Sequence, residues 1–142
     1  QAMNQEAFTI FGDGLQTRAF SYIADVAPMI AQSPLFQGAY QQVFNIGADQ
    51  PYTVLALAHQ VAKAFGIEPH IQYLPPRLEV VHAFASHDKV HRVFNLPPPV
   101  SLAEGVRNMA EGVRRRGPAR PVTFDNIEVP LNLPPSWVDK CP

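Results

Sequence analysis

The chain has 142 residues, 46% apolar and 16% charged, with 11 Lys and Arg against 12 Asp and Glu for a formal net charge of −1. That is one domain's worth of sequence with enough apolar residues for a core, so a chain disordered throughout is excluded; no apolar run approaches the ~18 residues of a membrane span. The balanced charge carries no footprint for nucleic acid or an acidic membrane surface, and the lone Cys141 excludes an internal disulfide framework or a cysteine-built metal site.

The first element in chain order is a strand over Phe8-Thr9-Ile10-Phe11, ended by the glycine turn Gly12-Asp13-Gly14. Phe20 to Ile23 reads as a second strand. Asp25 then caps a helix over 26–32, with Pro28 tolerated in its first turn. Gln42 to Ile46 reads as a third strand closed by Gly47. Thr53 precedes Val54, Leu57, Ala58, Val61, Ala62 and Phe65, a spacing that makes one apolar helical face, and Gly66 stops it. A fourth strand, His70 to Leu74, is halted by Pro75-Pro76. A helix is expected over 87–94, and Ser101-Leu102-Ala103-Glu104 is a capping-box pattern opening a last helix to about Arg115. Strands alternating with helices argue for an α/β fold.

Proline divides the chain. Of 15 prolines, six fall in residues 118–142. Repeated proline removes donors and fixes φ, so this stretch is expected to run as an extended arm beyond a body of residues 1–117. Its apolar residues, among them Phe124, Ile127, Val129, Leu131, Leu133 and Trp137, argue that the arm packs onto something.

Catalytic patterns are sparse. There is no G-x-G-x-x-G, P-loop, G-x-S-x-G or H-E-x-x-H pattern. His87 and His91 stand four apart, but no third ligand is evident, and solvated helix histidines account for them best. The opening of the chain has neither a basic start nor an apolar stretch, so a soluble cytoplasmic protein is expected.

Two arginines remain. In Gly12-Asp13-Gly14-Leu15-Gln16-Thr17-Arg18, a glycine turn delivers a threonine and an arginine to the start of an apolar strand. Arg offers a planar fork of donors suited to phosphate oxygens, although an ordinary hairpin whose arginine pairs with a surface carboxylate accounts for the same residues. Tyr73-Leu74-Pro75-Pro76-Arg77 places a second arginine on a loop stiffened by prolines, where a solvated side chain is the plainer expectation.

The run Thr9-Ile10-Phe11-Gly12-Asp13-Gly14-Leu15-Gln16-Thr17-Arg18-Ala19-Phe20-Ser21-Tyr22-Ile23-Ala24-Asp25-Val26 closely resembles the extended short-chain dehydrogenase/reductases, in particular the NAD-dependent nucleotide-sugar epimerase/dehydratase family that includes UDP-glucose 4-epimerase. Val43 to Gly47, the helix from Thr53 to Phe65, Pro76 to Val80, Ser86 to Lys89 and Pro99 to Gly105 resemble further blocks of that family in the same order, over about residues 8–116. The resemblance is to the carboxyl-terminal half.

It implies an α/β substrate-binding portion lacking the amino-terminal Rossmann half, with NAD and the catalytic Tyr-x-x-x-Lys belonging to that other half. It implies no cofactor on this chain. Arg18 and Arg77 match the arginines that grip the substrate diphosphate. Phe8, Thr9, Ile10 and Phe11 match the stretch along the nucleotide base, and Glu79 a position near the ribose and diphosphate. The leading expectation is a truncated epimerase (isomerase) or dehydratase (lyase), inactive alone. A stand-alone nucleotide-sugar-binding module and a non-catalytic scaffold reusing the fold are the alternatives. The resemblance also implies an uncovered Val43–Ile46 strand, hence self-association, or the apolar arm folding back over it.

Overall fold

A computed structural model describes residues 1–118. Along the chain lie β1 (Phe8–Phe11), β2 (Thr17–Ala19), α1 (Ile23–Gln32), short 3-10 turns at Ser33–Leu35 and Gln37–Ala39, β3 (Pro51–Thr53), α2 (Val54–Phe65), β4 (Ile71–Leu74), β5 (His82–Ala83), α3 (Asp88–Val93) and α4 (Leu102–Arg116). The fold is α/β. Among the described residues no helix is long and apolar enough to cross a membrane. The arm expected over 118–142 lies, after Pro118, outside the described residues.

Two small sheets organise the body. β1 and β4 pair in parallel, Phe8 opposite Ile71 and Phe11 opposite Leu74. The other sheet has the order β3-β2-β5, antiparallel between β2 and β3 and parallel between β2 and β5. In β1 the alternation of the strand sends Phe8 and Ile10 inward, where they meet Ala58 and Ala62 of α2. Small residues on that helix face let strand and helix approach closely.

The ends of α2 follow the sequence pattern. Thr53 Oγ1 accepts from Ala56 N at 3.0 Å, and Gly66 stops the helix at φ 68°, a left-handed turn that glycine adopts without strain. Ser101 caps α4 by accepting from Glu104 N. α4 packs along α2, and Arg114 closes their far ends: its Nη2 donates to Ala64 O at 2.9 Å while its guanidinium lies 4.9 Å from the centre of the Phe65 ring. A second core gathers Met29, Val90 and Phe94, with Phe36, Phe44 and Ile46 packed around it.

Several boundaries differ from the sequence expectations. The second strand lies at Thr17–Ala19, because those residues meet β3 and β5; Phe20 to Tyr22 only lead into α1, which starts at Ile23. Asp25 is therefore inside the first turn of the helix and caps nothing there. Its Oδ2 accepts from Val100 N at 3.0 Å and fastens the approach to α4 onto α1. Pro28 sits in the second turn.

The strand expected over 42–46 is absent. A strand needs a ladder partner, and no described strand lies alongside this segment. Side chains of the α3 region hold it instead: Lys89 Nζ donates to Val43 O at 2.9 Å and to Gln42 Oε1 at 3.0 Å. Phe44 packs edge-on against Phe94. β3, β5 and the two 3-10 turns were not expected; strands of two or three residues are too short to show a period.

Candidate functional site

The glycine turn after β1 sets the geometry. Gly12 and Gly14 have φ 74° and 78°, in the region that favours glycine. Asp13 Oδ1 accepts from Leu15 N at 2.9 Å, which tightens the turn. A Cβ on Gly14 would stand 3.2 Å from Leu55 Cβ and 3.3 Å from Ile10 Cγ2, so both φ and the close approach of α2 call for glycine. The chain thus reverses into β2 and presents Arg18.

Arg18 is fully engaged. Its Nη1 donates to Thr17 O at 2.8 Å and to Val81 O at 3.2 Å, and its Nη2 donates to Glu79 Oε2 at 3.0 Å. Through these bonds it ties the loop after β4 to the edge of the second sheet. The same loop carries Arg77, whose guanidinium carbon lies 3.4 Å from the centre of the Phe11 ring, a cation–π stack. Thr17 Oγ1 and His82 Nδ1 add a hydrogen bond at 2.8 Å just beyond the loop.

The structure therefore gathers four of the expected site residues, Arg18, Glu79, Arg77 and Phe11, around one loop. It does not gather the rest. Phe8 and Ile10 are spent on the core, with Ile10 only 2% exposed, so their side chains are turned from any ligand on the far face. Thr9 is exposed, and its Oγ1 accepts from Gln1 Nε2 at 3.0 Å. His82 was missed; β5 alone brings it to Thr17, and no local pattern signals so short a strand.

A second polar cluster was misread from sequence. His87 is no solvated helix histidine: it is 5% exposed, and its Nδ1 meets Asp49 Oδ1 at 2.6 Å. A carboxylate only accepts, so that ring nitrogen carries the proton. Asp49 Oδ2 lies 3.3 Å from His91 Nε2, so one carboxylate holds both rings. The hydrogen bond from His87 keeps the Asp49 carboxyl below its ordinary value, against the opposing effect of burial and with help from the charge of His87 and from the hydrogen bond and charge of His91. Gly47 allows this packing, since a Cβ there would stand 3.0 Å from Ser21 Oγ and 3.2 Å from His87 Nε2. The contact spans 38 residues, which is why no spacing in the sequence announced it.

Among the described residues no group of three His, Cys, Asp or Glu could hold a metal ion. Two hollows adjoin Asp49, one of about 50 Å³ reaching Ser21, Met29 and His91, the other of about 260 Å³ reaching Phe20, Tyr52 and Ser101. Neither arginine lines them. A dinucleotide does not fit the glycine turn, because Gly12 and Gly14 lead from β1 into β2 and never into a helix, whose N-terminal N–H groups would receive a pyrophosphate.

No protein-family model matches the chain. UDP-glucuronic acid decarboxylase 2 of Arabidopsis thaliana is 29% identical over 117 residues, which cover 82% of this chain and 26% of that enzyme. UDP-glucose 4-epimerase of Mycolicibacterium smegmatis is 29% identical over 108 residues, covering 75% of this chain and 34% of the enzyme. A UDP-glucuronic acid 4-epimerase variant from Bacillus cereus, solved in complex with UDP-4-deoxy-4-fluoro-glucuronic acid and NAD, superposes with a TM-score of 0.73 at 25% identity, covering 80% of this chain and 37% of that one. The chain thus spans between about a quarter and somewhat over a third of these proteins. In sequence and in fold it is a relative of the NAD-dependent nucleotide-sugar epimerases and dehydratases of the extended short-chain dehydrogenase/reductase type.

Proposed function

We propose that this chain is the nucleotide-sugar-binding portion of an epimerase or dehydratase, with Arg18 and Arg77 gripping the substrate diphosphate. The observation that carries the reading is the loop after β4. It brings Arg77 onto Phe11 and Glu79 onto Arg18, so one loop makes both contacts between residues far apart in sequence. Two guanidinium groups beside an aromatic ring suit a dianion linked to a planar base. Thr9 and Phe11, together with backbone groups of β1, would run along the base, since Phe8 and Ile10 are buried. Glu79 would release Arg18 to the phosphate and accept from a ribose hydroxyl.

The role is orientation. Such a grip positions a sugar against a nicotinamide bound elsewhere, and contributes no bond-making step of its own. NAD and the family's Tyr-x-x-x-Lys would come from polypeptide beyond these residues, and residues 1–117 would form the binding unit.

Calorimetry with UDP, UDP-glucose and GDP-mannose tests this reading. Binding of a uridine nucleotide is expected, and Arg77→Ala should weaken it about tenfold to a hundredfold, the worth of a lost charge-assisted contact. No heat with any of the three at millimolar ligand, from a chain shown to be folded, overturns it and leaves a scaffold that only shares the fold.

A further inference from the structure

Two fastenings among the described residues hold the loop after β4 onto β2. One is the Arg18 side chain, whose Nη1 donates to Val81 O at 3.2 Å and whose Nη2 donates to Glu79 Oε2 at 3.0 Å. The other belongs to Thr17. Its backbone N–H donates to Val81 O at 2.8 Å, and its Oγ1 shares a hydrogen bond with His82 Nδ1, also at 2.8 Å. The strand pairing beneath them is short. β5 has two residues, and its register with β2 is Thr17 opposite His82 and Arg18 opposite Ala83. So brief a ladder is marginal in water, and the side chains carry much of the attachment.

The two fastenings part company once an anion arrives. The grip proposed above draws the Arg18 guanidinium to phosphate, and donors given to phosphate are withdrawn from Glu79 and Val81. The loop would lose those ties at the moment when Arg77, which it carries, has to stay in place. The bond between Thr17 and His82 takes no part in that exchange. These two residues stand opposite each other in the register, so their side chains leave one face of the sheet, whereas Arg18 leaves the other.

We propose that Thr17 and His82 are positioning residues of the diphosphate grip: their hydrogen bond keeps the loop of Arg77 and Glu79 seated on β2 after Arg18 has turned to the phosphates. That role rests on the proposed grip, while the double fastening can be tested without a nucleotide. Valine in place of Thr17 keeps the branched shape and the strand preference and removes only the hydroxyl; serine keeps the hydroxyl.

Nitrogen-15 relaxation on the full chain reads the loop in the absence of ligand. Arg18→Met removes the guanidinium ties, and Thr17→Val removes the hydroxyl tie. Either change alone should leave the amides of Glu79, Val80 and Val81 as ordered as those of β2, because the other fastening remains. Both together should drop their order parameters below about 0.6. Arg18→Met with Thr17→Ser should keep the loop ordered. Arg18→Lys, whose single amine cannot reproduce the guanidinium fork, takes the place of the methionine variant if that one does not fold.

Calorimetry with UDP then reads the grip. Thr17→Val should weaken binding about threefold to tenfold, the worth of one hydrogen bond, and Thr17→Ser should restore it. An ordered loop in the double variant overturns the proposal, as does a loop released by Thr17→Val alone. UDP binding that Thr17→Val leaves unchanged overturns it too. A parent chain that binds no UDP, with the loop behaving as expected, overturns the grip and with it the positioning role, and leaves the fastening as a part of the fold.

Discussion

Removing Asp49 separates a structural contact from a solvated one. His87 is buried and gives its Nδ1 proton to Asp49 at 2.6 Å, so Asp49→Ala leaves a buried donor without its acceptor. A buried donor left unsatisfied costs about 1–3 kcal/mol. Asp49 is itself 62% exposed, so water can enter where its side chain stood, and the low end, about 1 kcal/mol, is the better expectation. For a domain of this size that lowers Tm by about 4 °C. The pH dependence has a definite sign. The folded carboxyl titrates below its ordinary value, so its contribution is complete above the unfolded carboxylate pKa and is lost as pH falls through the folded one. Asp49→Asn should accordingly flatten the acid limb of stability relative to the parent protein. Thermal melts by circular dichroism at neutral pH and through the acid range measure both effects. A Tm for Asp49→Ala within 1 °C of the parent, or an unchanged acid limb for Asp49→Asn, would refute the reasoning that this contact holds the 47–50 segment on α3.

Three further outcomes follow from other contacts. Gly14→Ala forces a side chain into a left-handed conformation against Leu55 and Ile10, and should lower stability by about 1–2 kcal/mol or more, read in a urea titration. Glu79→Gln removes the carboxylate that competes for Arg18, so inorganic pyrophosphate, which has no ribose to lose, should bind several-fold more tightly by calorimetry. Val43 is 84% exposed on a segment with no ladder partner among the described residues, and self-association through Val43–Ile46 should raise the sedimenting mass with concentration; Val43→Asp should reduce it.

What was legible in the sequence was local. The face of α2 and its Gly66 stop, the Ser101 cap of α4, and the β1 turn all depend on residues within a few positions of each other, and all appear as read. What was not legible depends on distant partners. Gln42 to Ile46 has strand composition, but composition supplies no ladder, and Lys89 and Phe94 hold the segment by other means. His87 looks like a surface residue until Asp49 closes on it, while His91 stays exposed as read. At the candidate site the sequence nominated the residues, and the loop after β4 decided which of them meet.

That loop also shows how much charge the site offers. Arg18 and Glu79 neutralise each other at 3.0 Å. A diphosphate carries about two negative charges, and drawing Arg18 to it requires breaking the Glu79 pair. Both groups of that pair are partly exposed, and exposed pairs are worth about 0–1 kcal/mol, so the exchange is inexpensive. The pair therefore acts as a weak stay. It keeps the long Arg18 side chain extended across β5 and the loop in its folded position, and on the proposed reading it would yield to a diphosphate. Binding through this exchange should weaken as salt rises, because the ligand charge exceeds the charge it displaces. A nucleotide affinity unchanged between low and high ionic strength would mean that neither arginine meets the phosphates.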